Sequence, residues 1–135
     1  STDETVAAIA AKSLKEAIYH RRHSGQWIIR MGDGTEESHA RAQAALDDLW
    51  GYSHELFDDD ALVERLVADS IAVPGAELKP AWDAEVDQVL GQATLSRPSD
   101  DWRVDGGSQG VHSEHLGYLL AEMQFLPRAY PGAKW

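Results

Sequence analysis

Hydrophobic side chains recur at intervals of three and four over several long stretches of this chain, and nowhere alternate with polar ones over the length of a strand. From the start to Met31, an advance of about 100° per residue gathers Val6, Ile9, Ala10, Ala17, Trp27, Ile28 and Met31 into one arc, with Ser13, His20 and Ser24 inside it. Lys12, Lys15, Arg22 and Arg30 fall together outside that arc. The pattern predicts a helix from about Asp3, its candidate N-cap, to about Met31, ended by Gly32-Asp33-Gly34. At 1.5 Å per residue it would be about 42 Å long.

A second helix follows, with Thr35 as candidate cap and Glu36 and Glu37 in its first turn. Its inward stripe is Ala42, Leu46, Leu49, Trp50, Ser53, Leu56 and Phe57. The short link makes the two helices an antiparallel hairpin. Asp58-Asp59-Asp60 breaks the run and caps a short helix through Leu62, Leu66 and Val67. Ile71 to Gly75 reads as an extended connector. A further helix, roughly Lys79 to Leu95, aligns Trp82, Val86, Val89 and Ala93, with Asp83 and Asp87 turned to water. Residues 96–110 have the composition of a loop. The last helix begins near Val111 or Ser113, ends at Pro127, and is followed by a tail closing on Trp135. The expectation is a single all-α domain over residues 1–135, a long antiparallel helical hairpin with shorter helices around it.

Composition narrows the chemistry. With 43% hydrophobic and 26% charged residues the chain is globular in class, and it has no cysteine, so disulfides, thiolate zinc sites and iron–sulfur ligation are out. Its formal net charge is −11. Residues 1–32 carry +2, residues 33–105 carry −13, and the last thirty balance. So acidic a chain is not expected to bind nucleic acid or an anionic membrane. No apolar run is long enough to span a bilayer and no signal peptide is visible, which suits a cytoplasmic protein. The absence of an initiator Met points to processing or truncation.

Carboxylate-bridged di-iron sites use Glu-x-x-His on facing helices, because that spacing aims both ligands at one inward point. Glu36-Glu37-Ser38-His39 is a literal copy, but it falls in a first turn where an acid is favoured by the helix dipole. Glu16 and His20 lie in mid-helix at i+4, one residue too far for that motif and near enough for a carboxylate–histidine bond. In the last helix His112 and His115 share the arc of Leu116, Leu119, Leu120, Met123 and Leu126, with Glu122 at its edge. Glu122 is about 10 Å along the axis from His115, so one metal does not easily meet both. Glu16, His20, His115 and Glu122 are therefore weak metal candidates, and a polar interior network is the expected reading of them. Gly117 and Ala121 leave a shallow groove for a helix, either of this chain or of a partner.

Several segments together carry a resemblance. They are Ala11 to His20, Gly25-Gln26-Trp27, Met31 to Thr35, Leu49-Trp50, Glu55 to Asp58, Ile71-Ala72-Val73, Ala81 to Val86, and above all Gly106 to Trp135. In these the chain resembles the C-subunit family of bacterial phenylacetyl-CoA epoxidases (PaaC-like), whose fold is ferritin-like. The resemblance implies a non-catalytic structural subunit, without catalytic residues or cofactor of its own, in aerobic phenylacetate catabolism. The A subunit of such a complex holds the di-iron centre, and a reductase subunit brings electrons from NADPH. Family members are nearly twice as long, so this chain corresponds to a C-terminal half, and its uncovered stripes lead us to expect self-association as well as binding to the A subunit. Two other readings stay open on residues alone: a metal-dependent oxidase in its own right, and a generic helical adaptor.

Overall fold

The computed structural model describes residues 1–134, and these contain helices and no strand. Trp135, the terminal aromatic of the tail, lies outside the described residues. By contact the chain falls into two compact units, Ser1–Val104 and Asp105–Trp135.

In the first unit, α1 spans Glu4–Gly32 and begins as expected: the Asp3 carboxylate accepts a hydrogen bond from the Val6 amide. It runs the full predicted length because nothing before Gly32 interrupts it. α2, Glu36–Leu49, is opened by a reciprocal cap in which the Thr35 hydroxyl accepts from the Ser38 amide and the Ser38 hydroxyl accepts from the Thr35 amide. The helix predicted through Phe57 tightens instead into a 3₁₀ segment, Trp50–Phe57. Gly51 weakens the α-helix there, and the Trp102 ring lies where a side chain on Gly51 would stand. α3, Ala61–Ala68, is capped by Asp60, which accepts from the amides of Leu62 and Val63.

α4 spans Gly75–Gln92, starting four residues before the Lys79 expected from the sequence. Its first amide, that of Gly75, donates to the Asp59 carboxylate at 3.1 Å. A cap sixteen residues upstream leaves no local signature. Two residues past the end of α4, Thr94 stands at φ 58, a left-handed conformation that a β-branched residue adopts at a cost. The Thr94 hydroxyl donates to the Gly32 carbonyl at 3.4 Å.

α1 and α4 lie side by side in the same sense, Gly25 against Val89 and Gly32 against Ala93, while α2 returns antiparallel to both. The core sits at this end: Leu90, Ala93 and Leu95 are buried, with Ile28, Ile29, Ala42, Leu46 and Val86 packed on them. A second cluster joins the buried Trp50 to Trp82 and Phe57, with ring centroids 5.8 Å and 5.2 Å from Trp82. The predicted inward arc of α1 is covered only in part. From Ala8 to Ser24 every residue is exposed, because α2, about 21 Å long, reaches only the far end of the helix.

In the second unit a 3₁₀ turn, Gly107–Gln109, sits between Gly106 and Gly110, both at positive φ. α5 spans His115–Ala129. It starts later than expected and continues two residues past Pro127, so His112 stands outside it. Pro127 removes one hydrogen bond near the end without breaking the last turn.

Gly32 supports the whole hairpin end. A Cβ there would collide with the Ala93 carbonyl oxygen and stand 2.8 Å from the Ala93 Cβ. Gly32→Ala is expected to lower stability by about 1–3 kcal/mol in urea unfolding, whereas Gly91→Ala, where nothing lies within 4 Å, is expected to be neutral or stabilising.

Candidate functional site

The residues singled out for metal chemistry divide between the two units. Glu16 and His20 do pair, Oε2 to Nε2 at 3.7 Å, but their side chains are 77% and 72% exposed. Neither is interior in this chain, because no described element of the first unit covers that part of α1. His115 and Glu122 belong to the second unit, and both are exposed. Among the described residues no group of three His, Asp or Glu side chains could hold a metal.

His39, the histidine of the literal Glu-x-x-His, has a structural task. Its Nδ1 donates to the Gly32 carbonyl at 2.8 Å, which fixes the tautomer and clamps the turn between α1 and α2. Glu36 is an exposed first-turn residue, in keeping with its reading from the helix dipole. Gly117 has nothing within 4 Å of where a Cβ would stand, and Ala121 is exposed one turn further on.

What the first unit does form is an apolar groove of about 1050 Å³ between α1, α2 and α4. Its walls include Ile28 and Met31 from α1, Leu46 and Leu49 from α2, and Trp82 and Val89 from α4. Leu49 is 63% exposed on its rim. Arg21 and Glu85 close one end with an ion pair at 3.4 Å.

Behind the groove runs a polar clamp that sequence reasoning missed. The segment 95–104 has the composition of a loop, yet it is tied at three points. Gln43 exchanges two hydrogen bonds of 2.9 Å with the Ser96 backbone. The Trp50 indole N–H donates to Asp100 at 2.8 Å. Arg97 lies over the Trp50 ring, 4.8 Å from its centroid, and donates to Asp83 and Asp87 at 2.7 Å each. Asp83, expected to face water, is thus held between Arg97 and Lys79, whose Nζ is 2.7 Å away. Those bonds, Lys79 first and Arg97 next, lower the Asp83 carboxyl below its ordinary value of 3.8, and the hydrogen bonds to Asp83 and then Asp87 raise the Arg97 guanidinium. His54 Nε2 is buried without a hydrogen bond, 3.5 Å from the Asp100 carboxylate. The signal in the sequence is a polar loop carrying Trp102 and two arginines, an unusual load for a plain linker.

The profile of the phenylacetic acid catabolic protein family matches residues 1–135. The chain belongs to that family. It is similar to the C subunit of the 1,2-phenylacetyl-CoA epoxidase of Escherichia coli (strain K12), with 45% identity over 135 residues, covering 100% of this chain and 54% of the relative. The chain thus spans about half the length of the curated relative it matches. Its helices accord with the ferritin-like bundle expected of the family, and the resemblance read from the sequence holds along the whole chain. Among the described residues no helix is long and apolar enough to cross a membrane.

Since Asp83 has a lowered folded value, its carboxylate stabilises the clamp above the ordinary aspartate range, and that contribution is lost as pH falls through the folded value. Asp83→Asn is expected to melt below the wild type at neutral pH, with the gap closing below about pH 4. Thermal melts of both proteins across that range check the sign.

Proposed function

We propose that this chain is part of a non-catalytic structural subunit of a multicomponent phenylacetyl-CoA 1,2-epoxidase, supporting the di-iron catalytic subunit in aerobic phenylacetate degradation in the cytoplasm. The observation that carries the reading is the 45% identity to an epoxidase C subunit along the entire chain. The geometry is in keeping with a piece of a larger helical bundle, since the groove is an open apolar face between three helices. On this reading both compact units are pieces of one longer ferritin-like subunit, and the catalytic iron and the NADPH-linked reductase belong to its partners. In the chain by itself a second copy lies on the groove, since a large exposed apolar surface drives association.

Co-expression with the catalytic subunit of such an epoxidase, followed by iron analysis and an NADPH-dependent assay on phenylacetyl-CoA, tests the first part. Co-purification with iron on the catalytic subunit is the expected result. Stoichiometric iron on this chain alone would overturn it in favour of an oxidase. For the second part, sedimentation should show a dimer at micromolar concentration. Leu49→Glu, on the exposed rim of the groove, is expected to weaken that dimer by tenfold or more, on the order of the loss of one buried leucine. A folded wild-type monomer would refute self-association.

A further inference from the structure

α1 has a second unusual side, turned away from α2 and α4. Lys12, Lys15, Tyr19, Arg22, His23 and Arg30 fall within about 100° of helix surface and are all exposed. The stripe is about 27 Å long, and Glu16 is the only acid between Glu4 and Asp33. None of its four cations comes within 4 Å of a carboxylate among the described residues. Five other cations of the first unit do: Arg21, Arg41, Lys79, Arg97 and Arg103. In a chain with 23 acids and 12 bases, four of the five first-unit cations without such a pair thus lie on one helix side, Arg65 being the fifth.

The stripe is also pre-ordered. The Tyr19 ring stacks on His23 at 5.8 Å, and His23 meets the edge of Trp27 at 6.4 Å. Arg22 sits over Tyr19 at 5.7 Å and Arg30 over Trp27 at 5.5 Å. Tyr, Trp and Arg are the residues that dominate interface energetics, and holding the guanidinium groups on rings lowers the entropy lost when they dock.

We propose that the Lys12–Arg30 side of α1 is a docking surface for a carboxylate-rich face of another subunit. Resting on the functional reading above, that subunit is the catalytic one of the epoxidase. Charge complementarity selects an acidic protein partner. A long polyanion is opposed by the net charge of −11, which a local carboxylate-rich face meets only at the stripe, and a second copy is already assigned to the groove on the other side of α1.

The test compares the wild-type chain with the fourfold variant Lys12→Glu, Lys15→Glu, Arg22→Glu, Arg30→Glu, after circular dichroism and melting confirm that both are folded. The variant Lys12→Arg, Lys15→Arg serves as a control that keeps the charge. Binding to the catalytic subunit is measured by calorimetry at low and high salt. The wild type and the control are expected to bind with an affinity that falls as salt rises. The reversal variant should bind on the order of a hundredfold more weakly at low salt, with the salt dependence lost. Equal Kd and equal salt response in wild type and reversal variant would overturn the docking surface while leaving the subunit reading standing. Failure of the wild type to bind at all would overturn both. An effect of the reversal confined to dimerisation of the chain, or to retention of a short DNA duplex, would also overturn the proposal.

Discussion

At the end of α1 the Gly32 carbonyl accepts hydrogen bonds from His39 Nδ1 and from the Thr94 hydroxyl, while its α-carbon rests against Ala93. One residue therefore joins the last turn of α1, the first turn of α2 and the C-terminus of α4. The buried trio Leu90, Ala93 and Leu95 lies immediately beside this junction. Only a glycine permits so close an approach of two backbones. With that end fixed, the apolar groove lies between the three helices. The left-handed conformation of Thr94 is unfavourable in isolation, and the bond of its hydroxyl to Gly32 offsets part of that cost.

Much of this architecture could be read in the residues. Asp3, Thr35 and Asp60 are local caps, and each predicts the helix it begins, since the donors they satisfy lie within three residues. The departures occur where the partner is distant in sequence. Asp59 caps α4 across sixteen residues, Trp102 packs on Gly51, and Gln43 holds Ser96. Periodicity places Glu16 and His20 on or beside an apolar arc, but a wheel diagram records only where apolar side chains point. It does not record whether another element is long enough to reach them. The carboxylate–histidine contact was legible; its exposure was not.

Family membership and helix geometry meet at α1. Its apolar arc is broader than α2 and α4 can cover, and its opposite side is cationic. A helix with few acids, in a chain otherwise crowded with them, is what the docking proposal rests on. The chemistry attached to the relative's name belongs to an assembly, and α1 exposes the kinds of surface on which assemblies are built.

The bond from Gly75 to Asp59 has a kinetic consequence. The first amide of α4 is capped from the far side of α3, so the chain before α3 and the start of α4 are coupled through this bond. Solvent exchange at the Gly75 amide then reports the opening of this long-range bond. A ligand or neighbouring protein that grips α3 slows exchange at α4 without touching it.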